Sequence, residues 1–318
     1  MPEPADTPRP ISGGSLSEAE LPRTAVAWPA AKERADSPVG QAVRRLRRST
    51  TAVVGAAIVA LLVVVALFAD VLAPRSPTAT DQANTFARPS WAHPLGTDQL
   101  GRDMLSRAIH GTRISLLVGV SSVLLALFVG VPLGMIAGYY GGRVDTLVMR
   151  VMDLILAFPI YLLAVILMVI FTPTAGLLGT IKVTGAIAIV RIPIYARLVR
   201  GSVLSIKEKE FVEACRALGV RDPWIIFRHV LPNCLAPIIV TTTLGIATSI
   251  IVEATLSFLG LGTQPPTPSW GWDLKANVAF IQANLWLSLF PGLAIFVTVL
   301  GFNLFGDGLR DALDPRLK

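Results

Sequence analysis

Few side chains in this sequence are of a type and spacing that could perform chemistry. Cys215 and Cys234 are its two cysteines, and His93, His110 and His229 stand far apart along the chain. No C-x-x-C pair or cysteine–histidine cluster offers the ligand spacing of a metal site. The sequence also lacks the G-x-x-x-x-G-K-[ST], H-E-x-x-H and G-x-S-x-G motifs of nucleotide-binding loops, zinc peptidases and serine hydrolases. We therefore expect no catalytic residue, no metal and no bound nucleotide in this chain.

The clearest local pattern lies in segment 201–233, and it is a pattern for docking. An S-x-x-E box at Ser205 and Glu208 predicts that a helix starts there. Apolar residues then recur at i, i+3, i+4 and i+7, which gives the helix one apolar face formed by Phe211, Ala214, Cys215 and Leu218. Outside the lipid, such a face suits a groove on a partner protein. The alternative is a surface hairpin that only connects two membrane spans.

A tight turn and a second helix are predicted next in the same segment. Gly219 stands where a left-handed helix terminus is needed, and Asp222 and Pro223 supply a cap and a first-turn proline. The second helix contains Trp224 and should end near Pro232. The predicted unit is therefore helix, tight turn, helix.

The elements that carry this unit are membrane-spanning helices. The chain is 53% hydrophobic and 15% charged, which is typical of a membrane protein and not of a soluble domain. The net charge of +7 comes mainly from residues at the ends of apolar runs, so we expect no nucleic-acid partner. The apolar runs predict an all-α protein with six spans, at about 51–69, 114–140, 146–171, 177–198, 235–259 and 285–305.

Two of these spans carry informative residues. Gly130, Gly134 and Gly138 recur at intervals of four in the second span and clear one face for a close helix contact. The fourth span is interrupted by Lys182 and Arg191, which we expect to reach opposite membrane surfaces.

Acidic residues inside spans are functional candidates because charge is costly in lipid. Asp153 and Glu253 lie in or near the third and fifth spans. Each is a candidate polar group of a transport pathway; alternatively, each is an interfacial cap or the partner of a nearby arginine.

The organisation along the chain follows from the spans. Residues 1–42 are polar and proline-rich and are predicted to form a disordered tail. Residues 43–113 hold the first span and an extracytoplasmic segment, and 114–318 form the core membrane domain. Lys and Arg concentrate in segment 201–233, which places that segment and both termini in the cytoplasm. The five arginines within 70–113 argue against this orientation, but acidic residues are interspersed among them.

Segment 201–233 resembles the EAA loop of ABC importer permeases. The resemblance rests on Glu213-Ala214-Cys215, on Gly219 six residues after the glutamate, and on Leu231-Pro232; Cys215 and His229 depart from the usual Ala and Ile. Further segments resemble the DppC/OppC-type permeases of dipeptide and oligopeptide importers, at 93–98, 101–103, 253–262, 268–271 and 307–316.

The resemblance implies a type I ABC importer permease in the cytoplasmic membrane, in contact with lipid, that imports di- or oligopeptides. A homologous second permease would complete the pathway, and an extracytoplasmic binding protein would deliver the solute. ATPase subunits, separate or fused, would hold ATP and magnesium and grip the loop at Glu213, Ala214, Cys215, Leu218, Gly219, His229, Leu231 and Pro232. Close relatives carry nickel chelates or glutathione instead. Two other classes stay open, namely an ion-coupled carrier, and a channel or membrane scaffold.

Overall fold

The computed structural model describes residues 38–313, and within this range it contains helices and no strands. The all-α prediction is confirmed. The helices are α1 (Pro38–Arg48), α2 (Thr50–Leu67), α3 (Ala69–Leu72), α4 (Met104–Tyr140), α5 (Gly142–Leu156), α6 (Ile160–Phe171), α7 (Gly176–Ile206), α8 (Glu210–Ala217), α9 (Asp222–Ile225), α10 (Leu231–Phe258), α11 (Trp270–Val278) and α12 (Trp286–Leu313). Most of the predicted tail, 1–37, lies outside the described residues, whereas 38–42 form the start of α1.

Five helices are long and apolar enough to cross a membrane, and a bent pair can supply a sixth span. The five are α2, α4, α7, the helix over 222–258 and α12. The third span was predicted as one helix over 146–171, but the structure breaks it into α5 and α6, which meet at 88°. The break lies at Pro159, which has no N–H to donate and disfavours helical geometry at Phe158.

Helices α4 and α7 form the centre of the bundle and approach closely along the three glycines. A β-carbon added at Gly138 would lie 2.8 Å from the β-carbon of Val203, and one added at Gly134 would clash with the carbonyl oxygen of Ala196. The glycine face of α4 therefore contacts α7 of the same chain, because only side-chain-free positions permit this approach.

We predicted that Arg191 reaches a membrane surface, and this prediction is wrong. Its side chain is only 7% exposed and lies inside the bundle, where its Nη1 reaches toward Gly245 of α10. The missing side chain at Gly245 leaves space for the guanidinium, so the arginine is accommodated without reaching the surface. Lys182 donates to the carbonyl oxygen of Thr172, 3.0 Å away, at the end of α6.

A buried ion pair holds the start of α4 against α11. Arg107 donates from Nε to Oδ1 of Asp273 at 2.8 Å, and both side chains are at most 2% exposed. The preceding segment is tied to the same place, since Asp103 caps α4 by accepting from the backbone of Ser106 and also bonds His93 at 3.0 Å.

Candidate coupling site

Segment 201–233 leaves the bundle as a continuation of α7. The helix runs on to Ile206, so Ser205 lies in its last turn and the predicted capping box at Ser205 and Glu208 is wrong. Extending the helix is favourable because it buries Val203 and Ile206 in an apolar cluster. The next helix, α8, begins instead at Glu210, and its N-cap residue Lys209 makes no side-chain cap.

Helix α8 ends in a Schellman motif. The backbone N–H of Val220 donates to the carbonyl of Cys215 at 3.1 Å, and that of Gly219 donates to the carbonyl of Arg216 at 2.9 Å. Gly219 has φ +73°, and a β-carbon there would meet nothing within 4 Å. The turn therefore needs glycine for its left-handed backbone and not for space.

The second helix of the unit has Pro223 in its first turn as predicted, but Asp222 is its first residue and not its cap, and the helix does not end near Pro232. Arg221 is the N-cap of α9, and a five-residue π-helical segment, Ile226–Val230, joins α9 to α10. The backbone N–H of Leu231 reaches the carbonyl of Ile226. This wider turn precedes Pro232, which lacks an N–H and whose ring would crowd the carbonyl of Arg228 in a regular α-helix. The result is one continuous helical rod from the loop into the membrane.

The inner face of the loop is attached to the bundle by apolar packing. Four of its residues lie in one cluster with the ends of α4 and α7, namely Val212, Ile225, Ile226 and Val230. Our prediction for α8 missed Val212. Its only signal in the sequence was an apolar side chain next to Phe211, the first residue of the predicted apolar face.

Tyr139, at the end of α4, adds polar contacts to both helices of the loop. Its hydroxyl donates to Oδ1 of Asp222 at 2.7 Å, and the guanidinium carbon of Arg216 lies 5.2 Å from the centre of its ring. Contact with Tyr139 raises the pKa of Arg216, so this cation stays charged beside the ring. Nothing in the sequence marked Tyr139, because its partners are more than 70 residues away.

The outer face of the loop is uncovered. Glu213, Ala214, Gly219 and Pro232 are exposed, and Leu218 is 82% exposed at the tip of α8. Trp224 and Phe227 add exposed aromatic surface beside it. The side chain of Glu213 makes no hydrogen bond or ion pair with any residue in the described range 38–313. Three further predicted coupling residues, Cys215, His229 and Leu231, are half-buried at the edge of this face.

The structure separates the two acidic candidates from one another. Asp153 on α5 forms an ion pair with Arg197 on α7, and both side chains are about half exposed. Glu253 on α10 is completely buried and accepts hydrogen bonds from Ser115, Ser257 and Ser269, at 3.2, 2.8 and 3.1 Å. Both contacts link neighbouring elements of this chain, and Glu253 is enclosed by hydroxyl groups.

This arrangement of a bundle with an exposed helical loop is matched among known proteins. Residues 130–318 match the family described as the binding-protein-dependent transport system inner membrane component, and 37–89 match the N-terminal transmembrane domain of oligopeptide transport permease C. The chain belongs to this transport permease family. The predicted family resemblance is confirmed, and the chain is a multi-pass inner membrane permease component.

Several curated relatives extend along almost the whole permease. A dipeptide transport system permease protein DppC of Alkalihalophilus pseudofirmus is 46% identical, over 89% of this chain and 91% of the relative. A glutathione transport system permease protein GsiD of Pectobacterium atrosepticum is 45% identical over 86% and 90%. A di/tripeptide transport system permease protein DppC of Pseudomonas aeruginosa is 44% identical over 89% and 93%.

The fold also has a solved counterpart. A chain of the MetNI methionine ABC transporter, in an inward-facing conformation, superimposes with a TM-score of 0.54 at 19% identity. The match covers 66% of the permease and 98% of that chain. The predicted ABC importer fold is thereby confirmed.

Proposed function

We propose that this permease is one membrane subunit of an ATP-driven importer for short peptides. The observation that carries the proposal is the exposed outer face of the loop, with Glu213 and Leu218, on a unit that is fastened to α4 and α7. An uncovered apolar face next to an unpaired carboxylate fits a groove on a partner protein. The names of two close relatives, which include dipeptides and di/tripeptides, support the solute class.

The partners follow from the same proposal. ATPase subunits, separate or fused, bind the outer face of the loop through Glu213, Ala214, Cys215, Leu218 and Gly219. A homologous permease completes the pathway, and a solute-binding protein delivers the peptide on the opposite side. The loop and both termini then face the cytoplasm. ATP hydrolysis is a property of the ATPase subunits, and this chain contributes no catalytic group.

The mechanism we propose is transmission of motion through the continuous helices. Because α7 and the rod over 222–258 enter the loop from the bundle, and Tyr139 ties the loop to α4, the loop cannot shift without moving three central helices. When the ATPase subunits close, the loop moves with them, and the bundle rocks between outward-facing and inward-facing states.

The test is ATP-dependent uptake of a labelled dipeptide by the full complex in proteoliposomes, with Leu218→Asp as the variant. A charge on the apolar face should abolish ATPase binding and uptake, while the matched control Leu218→Met keeps both. Uptake that continues in Leu218→Asp, or that follows an ion gradient without ATP, would contradict the proposal.

A second candidate solute is glutathione. The observation in its favour is the 45% identity with the glutathione permease GsiD, close to the value for the dipeptide relative. Competition decides between the two: excess glutathione should leave uptake of the labelled dipeptide unchanged if the dipeptide is the solute.

A further inference from the structure

Arg191 is a charged residue that the coupling mechanism does not use. It lies 15 residues from each end of α7, so it is about 22 Å from either end at about 1.5 Å per residue. Its side chain is 7% exposed. Charged residues in the interior of membrane proteins are costly and usually mark a ligand or ion path.

No carboxylate of the described chain compensates this charge. The titratable side chains that act on Arg191 within 38–313 are two tyrosines, Tyr161 and Tyr195. The hydroxyl of Tyr195 is itself buried and lies beside the guanidinium. Nη1 of Arg191 and this hydroxyl converge on Gly245, where an added β-carbon would lie 3.4 Å and 2.5 Å from them.

Arg191 lines a small cavity between α6, α7 and α10. Its volume is about 50 Å³, and Tyr161 and Thr248 are its other lining residues with hydroxyl groups. Apolar side chains, including Ile187 and Val252, form the rest of the wall. A single water needs about 10–15 Å³, so the cavity admits a group of a few heavy atoms and not a whole peptide.

One side of the cavity leads outward. Ile160 and Tyr161, at the start of α6, line it and are 38% and 46% exposed. They follow the bend at Pro159, where α5 and α6 separate. A group that is carried on a larger molecule can therefore enter the cavity from this side while the rest of the molecule stays outside.

We propose that the Arg191 cavity binds the terminal carboxylate of the transported peptide. A planar carboxylate matches the two-pronged geometry of a guanidinium, and it supplies the negative charge that the buried cation lacks. The hydroxyl group of Tyr161 is an additional donor, whereas that of Thr248 already donates to the carbonyl of Leu244 at 2.8 Å. Every short peptide carries this carboxylate whatever its side chains, so the cavity would bind a group that all transported peptides share. This inference rests on the proposed function as a peptide importer.

The test compares two dipeptides that differ only at the C-terminus, one with a free carboxylate and one amidated, in uptake by the complete reconstituted transporter. The variants are Arg191→Gln and Arg191→Lys, with Ile194→Val, another lining residue, as the matched control. Because the same binding protein is present throughout, its own preference cancels between variants.

We expect Arg191→Gln to lower uptake of the free-carboxylate dipeptide by about tenfold or more, the loss of one charge-assisted hydrogen bond, and to leave the amidated one within about twofold. Arg191→Lys should recover part of the loss. If the wild type does not transport the amidated dipeptide, two other results test the inference. Arg191→Lys should recover part of the uptake, and the purified Arg191→Gln complex should keep all its subunits. Equal losses for both dipeptides, no loss, or no recovery by lysine would overturn the inference.

Two further outcomes are distinguishable. Loss of the second permease from the purified Arg191→Gln complex would mean that Arg191 pairs with an acidic residue of that subunit, which also overturns the inference. Absence of ATP-dependent dipeptide uptake by the wild type would refute the proposed function itself, before any variant is compared.

Discussion

At the scale of single residues, the permease stabilises a buried carboxylate by giving it several hydrogen-bond donors. Glu253 is the clearest case, because three serines from α4, α10 and the segment before α11 donate to it. A carboxylate in this position connects three elements that apolar side chains alone would leave free to slide. Arg191 differs from Glu253, since its side chain is 7% exposed and has two tyrosines and a cavity beside it but no carboxylate among the described residues.

Replacing Glu253 should therefore lower stability. Glu253→Leu leaves three buried serine hydroxyls without an acceptor, which costs about 1–3 kcal/mol for each unsatisfied group that cannot find a new partner. We expect a clear drop in the thermal unfolding temperature of the purified permease in detergent, with a smaller drop for Glu253→Gln. Ser76→Ala, at an exposed site, is the control. Equal unfolding temperatures for all three variants would show that the serine cluster contributes nothing.

Tyr139 offers a second test at this scale. Tyr139→Phe removes the hydrogen bond to Asp222 but keeps the aromatic ring under Arg216. The loss of about 0.5–1.5 kcal/mol should loosen the loop from α4. We expect ATP hydrolysis by the complex to continue while the amount of peptide carried per ATP falls. An unchanged ratio of transport to hydrolysis would mean that the link to α4 plays no part in coupling.

At the scale of elements, the sequence predicts what depends on local pattern and fails where distant contacts decide. Gly219 and the glycine face of α4 were predictable, because turn chemistry and a four-residue spacing are local signals. The start of α8 was not, since burial of Val203 and Ile206 extends α7 beyond a convincing capping box. The apolar composition of 146–171 also hid the break at Pro159, because an apolar run shows how long a segment is and not whether its helix bends.

The turn at Gly219 can be tested by its backbone alone. Gly219→Val should weaken ATPase binding, because a β-branched residue is costly at φ +73°. Gly219→Asn is the matched control, since asparagine tolerates this conformation and a side chain there meets nothing within 4 Å. We expect co-purification of the ATPase subunits with Gly219→Asn and reduced recovery with Gly219→Val. Full recovery and transport with valine would contradict the loop geometry.

The contact between α4 and α7 makes a prediction about packing. Gly134→Ala should destabilise the bundle by about 1–3 kcal/mol, because the new methyl group would clash with the carbonyl of Ala196. Gly201→Ala, on α7, is the control, since nothing lies within 4 Å of its added methyl group. The measurement is thermal unfolding in detergent. A tolerated Gly134→Ala would mean that the two helices are further apart than described.

At the scale of the whole molecule, orientation in the membrane is the property on which the proposed coupling depends. Cys215 lies half-buried in the loop, whereas Cys234 is completely buried in α10. A membrane-impermeant maleimide should therefore label Cys215 in inside-out vesicles that lack the ATPase subunits and not in intact cells. Cys215→Ser should abolish the labelling. Reaction in intact cells would place the loop outside the cytoplasm and refute ATPase coupling.

The π-helical segment Ile226–Val230 fits one more residue into a turn than an ordinary α-helix does. Each π-helical residue turns the chain by less than the about 100° of an α-helical residue, so the wider turn takes up the extra residue with little change in the rotation of the helix on either side. Removing one residue here would therefore restore an ordinary helix and leave the direction of Trp224 almost unchanged. Because Ile226 and Val230 are buried in the apolar cluster, such a deletion would weaken the attachment of the loop to the bundle without rotating the loop away from its partner.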